Sequence, residues 1–145
     1  MKVYRECLFT LIDRKSRYIY IQKAKDRTSK EILKALNKIK ASMKVKCFSV
    51  TFDNGALFSN SKEISKIFGC QVYYSRPYKS SDRGSNENAN GMVRRQVPKK
   101  TNFQLITDQA VQVIAEELNN RPRKILGYKS RVQVQAKYLK KRQSV

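Results

Sequence analysis

The first stretch of the chain alternates in a way that suits β-structure. Residues 7–12 (Cys-Leu-Phe-Thr-Leu-Ile) and 18–21 (Tyr-Ile-Tyr-Ile) are β-rich runs. The polar Asp13-Arg14-Lys15-Ser16-Arg17 separates them, which predicts an antiparallel hairpin. The pattern then changes to a helical one. Thr28-Ser29-Lys30-Glu31 has the spacing of a capping box, and Ile32, Leu33, Leu36 and Ile39 follow on one face, predicting a helix of about 12 residues. Residues 45–52 form a third β-rich run, with Phe48, Val50 and Phe52 on one side, ending at Asp53-Asn54-Gly55. A short helix follows, with Asn60 and Glu63 as a cap pair, Ile64, Ile67 and Phe68 as its apolar face and Gly69 as its stop. Gln71 to Tyr74 reads as a fourth strand.

Residues 75–84 are polar and turn-rich, and they lead into an asparagine-rich helix over about 85–97 that Pro98 stops. Gly91 weakens that helix by roughly 1 kcal/mol relative to Ala. Thr107 caps a better one, in which Val111, Ile114, Ala115 and Leu118 keep the i, i+3, i+4, i+7 spacing and Pro122 lies beyond the end. From Leu118 onward there are nine Lys or Arg and no acid, a basic tail with helical character near residues 132–139. A hairpin followed by strands alternating with helices predicts an α/β fold, a mixed sheet flanked by helices.

With 145 residues, 40% of them apolar, the chain holds one core and not two. The balance of 32 Lys and Arg against 11 Asp and Glu leaves +21, a charge that favours a polyanion, nucleic acid first, as partner. No apolar run reaches the roughly 18–20 residues of a membrane span and the first residues lack the shape of a signal peptide. The expected location is therefore the cytoplasm, beside the nucleoid. Cys7, Cys47 and Cys70 are isolated in apolar stretches and read as reduced, buried small hydrophobes. Histidine is absent, which removes the usual zinc sites and the histidine-activated nucleophiles together. Chemistry on this chain has to run on carboxylates.

Two carboxylates stand out. Asp53 follows the third β-rich run, at the carboxyl end of a strand where α/β sheets expose functional groups, although Asp-Asn-Gly is most often a turn. Glu87 opens a helix among Asn86, Asn88, Asn90 and Gly91, poor helix formers, although a glutamate in a first turn is also what the helix dipole favours. With 33 residues (54–86) between them, a strand-end Asp and a first-turn Glu are able to meet. Such a pair suits Mg2+ or Mn2+, which binds through one or two carboxylates, waters and substrate phosphates. Two such ions promote in-line phosphoryl displacement.

The chain resembles the DDE transposases and retroviral-type integrases of ribonuclease H-like fold, and most closely the bacterial insertion-sequence-thirty family. The likeness rests on the segments 11–18, 51–55 (Thr-Phe-Asp-Asn-Gly), 83–91 (Arg-Gly-Ser-Asn-Glu-Asn-Ala-Asn-Gly), 118–124 and 126–129, in the family's order. It implies that Asp53 and Glu87 are the second and third carboxylates of a metal-binding triad, in enzymes that hydrolyse a phosphodiester at an element's end and join the freed 3′-hydroxyl to target DNA. It also implies departures. The family's first Asp lies on a strand before this segment and has no counterpart in residues 1–6; Asp13 matches an acidic position outside the triad, and nothing marks Glu6 as a substitute. The expectation is a carboxyl-terminal part of a transposase, lacking the helix-turn-helix region and the first, central strand, with a partial core over 1–129 and a basic tail over 130–145. A sheet without its central strand would be open and of low stability.

Glu87, Asn90, Gly91 and Arg94 fall on one side of a helix, so the carboxylate and a DNA-facing arginine would share a face. Tyr78, Arg83, Asn86, Asn90, Arg94, Arg95, Lys99, Lys100, Arg121, Arg123 and Lys124 are the candidate DNA contacts, with Tyr78 the best placed tyrosine for stacking. The alternative for each cation is an ordinary solvated surface. Partners expected are DNA at element ends and target, and a second copy or an upstream transposase fragment. Two functional readings follow: a Mg2+-dependent DDE transposase that is incomplete, and inactive, as this chain alone; or a DNA-binding or transposase-interacting remnant that cuts nothing. An unrelated basic RNA-binding protein would account for the charge but leave the Asp53–Glu87 spacing accidental.

Overall fold

The computed structural model describes residues 6–53, 60–76 and 84–143, and the side chains of all but 84–86 and 142–143 among them. The element order is β1 (Cys7–Ile12), β2 (Ile19–Ala24), α1 (Ser29–Ser42), β3 (Ser49–Phe52), α2 (Ser61–Phe68), β4 (Gln71–Tyr74) and α3 (Gly84–Gln96). A 3-10 turn (Phe103–Leu105), α4 (Asp108–Asn120), the short strands β5 (Pro122–Arg123) and β6 (Lys129–Ser130), and α5 (Arg131–Gln143) complete it. The arrangement is α/β, as expected, with helices on both sides of short strands.

Those strands make three separate two-stranded ladders among the described residues: β1–β2 antiparallel, β3–β4 parallel and β5–β6 antiparallel. β1 alternates between two cores. Leu8 and Ile12 pack with Ile19, Ile21, Ala89, Val93, Val111, Ala115 and Leu118, whereas Phe9 and Leu11 pack with Ile32, Leu36, Val50, Phe52, Ile64 and Phe68. One strand with apolar side chains on both faces thereby joins the α3–α4 layer to the α1–α2 layer.

Local signals act partly as expected. Thr28 caps α1, its Oγ1 accepting from the Glu31 amide, and Thr107 caps α4 through the Ala110 amide. The capping box is not reciprocal. The Thr28 amide donates to Asp26 Oδ1 at 2.8 Å, and Glu31 instead pairs with Lys34. Asn60 precedes α2 without a side-chain cap bond, while Gly69 ends that helix in the left-handed region at φ 63°. Phe48 is 67% exposed because β3 begins one residue later, so the expected apolar stripe of β3 reduces to Val50 and Phe52. The three thiols are free but only half-buried, with Cys47 Sγ 3.5 Å from Cys70 Sγ; burial first, then that neighbour, pushes Cys47 up to about 12.

The basic carboxyl-terminal stretch folds as α5, longer than the helical character read from residues 132–139. One of its cations pairs with a backbone oxygen. Arg131 is buried, and its Nη1 donates to the Leu118 carbonyl at 2.7 Å, near the end of α4, where unpaired carbonyls and the dipole favour a cation. Burial, then the nearby Arg123, holds the Arg131 pKa down. Gln135 Nε2 donates to the Tyr20 hydroxyl at 3.0 Å, and Lys15 Nζ lies 4.0 Å from the Tyr138 ring centre.

Candidate active site

A cleft of about 820 Å3 lies among β1, β3, α1, α3 and the segment 97–103. Its formation follows from where two strands and one helix end. β3 runs through the apolar α1–α2 core and emerges at Asp53, the residue just beyond its carboxyl end, which is exposed and lines the cleft. α3 is anchored by Ala89, Val93 and Val97, buried at a spacing of four, and that stripe turns Glu87, Asn90 and Arg94 along the cleft. Glu87 lies in the first turn of α3 and is exposed. The two carboxylates that the sequence singles out therefore face one space.

The surroundings are mixed in charge. Arg94, Lys99 and Lys100 line the same cleft, with Lys100 at φ 71° in the turn that follows Pro98. Asn90 Oδ1 accepts from Thr10 Oγ1 at 2.8 Å, tying α3 to β1. Ser75 continues the β4 ladder by donating its amide to the Phe52 carbonyl at 2.8 Å; its hydroxyl is buried beside the cleft with no hydrogen-bond partner among the described residues. Glu6 also lines the cleft, but Lys23 Nζ holds it at 3.1 Å and donates to the Ile106 carbonyl as well. Sequence reasoning did not mark Glu6 or Ser75, whose places depend on partners far along the chain.

Other candidates are distributed differently. Arg95, Arg121, Arg123 and Lys124 do not line this cleft. Arg121 pairs with Glu117, and Arg123 Nη1 approaches Met92 Sδ at 3.1 Å. Tyr78 and Arg83 lie outside the described residues, as does the Asn54-Gly55 turn, and the side chain of Asn86 is also outside them. Asp13 stands apart from the cleft. Its carboxylate accepts from Lys15 N, Ser16 N and Ser16 Oγ and so organises the hairpin turn.

Both Asp53 and Glu87 offer exposed, hard oxygen donors, which fits a divalent cation of the magnesium type with waters completing its shell. Among the described residues no three His, Cys, Asp or Glu side chains gather to form a fuller metal cage. Among them, too, no helix is long and apolar enough to cross a membrane.

No family model matches the chain. It is 34% identical over 131 residues to the transposase for insertion sequence element IS4351 of Bacteroides fragilis, a match covering 88% of this chain and 39% of that protein. It is 37% identical over 122 residues to transposase InsI for insertion sequence element IS30A of Escherichia coli, covering 83% of this chain and 32% of that one. By sequence the chain is similar to a part of these insertion-sequence transposases. The structure of the chain is similar to that of the catalytic core domain of BIV integrase, with a TM-score of 0.66 at 17% identity over 94% of this chain and 88% of that one. It is also similar to a chain of the simian T-cell lymphotropic virus intasome, with a TM-score of 0.68 at 20% identity over 88% of this chain and 47% of that one. These likenesses make the fold ribonuclease H-like. The chain spans between about a third and two fifths of the length of the transposases it matches.

Proposed function

We propose that this transposase core acts on DNA at the β1–β3–α3 cleft, with Asp53 and Glu87 as the ligands of a divalent cation, Mg2+ or Mn2+. The observation that carries this reading is the convergence of Asp53 and Glu87 with Arg94, Lys99 and Lys100 on one open cleft. Arg94, Lys99 and Lys100 then neutralise phosphates, while Asn90, fixed by Thr10, sets the tilt of the α3 flank that presents Glu87. A bound cation would polarise a phosphodiester and favour a hydroxide or 3′-hydroxyl nucleophile. The overall reaction is hydrolysis at an element's end followed by joining of the 3′-hydroxyl to target DNA. Tyr78, Arg83 and Asn86, which precede Glu87 in the sequence, are further DNA contacts in this reading, and Arg95, Arg121, Arg123, Lys124 and the basic stretch from residue 130 contact DNA outside the cleft. The working site is in the nucleoid, and the active form is an oligomer.

The test is cation binding and DNA nicking measured side by side. Asp53→Asn and Glu87→Gln should each weaken Mn2+ binding, read by electron paramagnetic resonance, at least tenfold with an unchanged unfolding midpoint. Unchanged affinity in both variants removes them from the site. DNA binding should fall steeply with salt, and Lys99→Gln with Lys100→Gln should reduce the slope of log K against log salt by about 1 each.

A second reading is favoured by one specific contact. Glu6, the third acidic side chain of the cleft, is already engaged by Lys23. Two available carboxylates then make this chain a DNA-binding partner of a transposase that does not cut by itself. Salt-sensitive DNA binding without nicking in Mg2+ or Mn2+ is its signature.

A further inference from the structure

We propose that Cys47 and Cys70 are a modification site, a thiol pair that a small-molecule disulfide of the glutathione class oxidises to a reversible cross-link between the starts of β3 and β4. The two residues are 23 positions apart, yet Cys47 Sγ lies 3.5 Å from Cys70 Sγ. A disulfide needs roughly 2.0 Å between its sulfurs, so about 1.5 Å of approach is left, which small turns about the two Cα–Cβ bonds supply. The backbone brings both residues to this spot. β3 and β4 pair in parallel from Ser49↔Gln71 onward, so Cys47 and Cys70 stand just ahead of the first rung. Gly69 turns the chain out of α2 at φ 63°, and Ser65 Oγ donates to the Cys70 carbonyl at 2.8 Å, holding Cys70 in place. Cys47 Sγ in turn lies 3.5 Å from the Ser49 carbonyl.

The competing account is plain packing, since both side chains touch the margin of the α1–α2 core. Three observations favour chemistry. Sulfur meets sulfur at the contact, and both residues are half-buried rather than enclosed. The third thiol, Cys7, is engaged elsewhere, its Sγ 3.7 Å from the Asp26 carbonyl. Burial holds the Cys47 thiol up, but Lys40 works in the other direction by favouring its thiolate. In the reaction one thiolate attacks glutathione disulfide, forming a mixed disulfide and releasing one glutathione. The second attacks the protein sulfur of that bond and releases the other. The chain loses two electrons and two protons, and one glutathione disulfide becomes two glutathione thiols. The bond encloses residues 47–70 in one ring, with β3, Asp53 and α2 inside it, and so restricts the unfolded chain. Oxidation thereby fastens the base of the strand that ends at Asp53. Neither Cys47 nor Cys70 lines the cleft, so the pair stands apart from the cation and DNA contacts.

The experiment equilibrates the full chain, native and urea-unfolded, with mixtures of reduced and oxidised glutathione, quenches with acid and reads intact mass. At a fixed glutathione mixture the ratio of intramolecular disulfide to dithiol should be at least tenfold higher in the native chain than in the unfolded one. By reciprocity the oxidised chain should then unfold at a higher urea concentration, and reduction should restore the original midpoint. Proteolytic mapping of the unsubstituted chain should place the bond between Cys47 and Cys70 with Cys7 free. Cys7→Ser should keep the native ratio and Cys70→Ser should abolish the bond; the mapping decides the matter even if Cys70→Ser does not fold. The proposal is overturned by a native ratio less than tenfold above the unfolded one, as packing neighbours alone would give. It is also overturned by a bond that maps to Cys7, or by disulfides that form only between chains. The measurement uses neither DNA nor cation, so its failure leaves the Asp53–Glu87 reading standing.

Discussion

The β1–β2 ladder has two outer edges, and the protein treats them in opposite ways. Along β2, Asn119 of α4 is buried and spans Ile19 like a piece of backbone, its Oδ1 accepting from Ile19 N and its Nδ2 donating to Ile19 O, both at 2.8 Å. Gln112, also on α4, donates to Ile21 O at 2.9 Å. Along β1, Leu8 and Thr10, whose backbone groups point away from β2, border the cleft. The lesson is that side-chain amides are enough to end a sheet within a single chain. An edge without them is left for water or for another strand.

The comparison breaks most readily at two adjacent residues. Leu11→Pro removes an amide that serves the ladder and should cost about 3 kcal/mol or more, whereas Thr10→Pro removes one that faces the cleft and should cost far less. Similar urea midpoints for the two variants would show that the edges are not different. Next in size is Asn119→Ala, which strands two buried backbone groups and should lose about 3 kcal/mol. Gln112→Ala should lose about 1 kcal/mol, since Gln112 is exposed and water replaces its bond. The same denaturation curves give both values, and their ratio measures how firmly each amide closes the edge.

The smallest effect is one of pH. Tyr20 is buried on the opposite face of β2, held by Gln135, and burial pushes its phenol from 10 up to about 12. Between those values the folded chain keeps a proton that the unfolded chain has released. Its contribution is present below pH 10 and is lost as the pH rises toward 12. Tyr20→Phe should therefore flatten the decline of thermal midpoint between pH 9.5 and roughly 11.5. An unchanged slope would separate Tyr20 from the closed side's stability.

Much of this was legible in local patterns. The hairpin, the Thr28 and Thr107 caps, the Gly69 stop and the apolar stripes of α1, α2 and α4 follow from periods and caps of a few residues. Asp53 and Glu87 were legible as candidates, because a strand end and a helix start are local features. The misses have a common physical origin. Phe48 looks like a core residue by alternation but precedes the first rung of β3, and Glu31 looks like a cap partner but finds Lys34 within its own helix. Arg131 reads as one more cation in a basic tail, until the Leu118 carbonyl, 13 residues earlier, gives it a buried partner.

By itself, then, the amino-acid order determined the main strands and helices, several of their caps and stops, and which carboxylates stand as candidates for phosphate chemistry. Those properties depend on neighbours within about one or two turns. Only the tertiary structure decided that the β2 edge is closed by side-chain amides of α4, that Glu6 is held by Lys23, and that Asp53 and Glu87 border one cleft. Each of these depends on hydrogen bonds and packing between residues far apart in the chain, and the Asn119 bridge to Ile19 spans 100 positions.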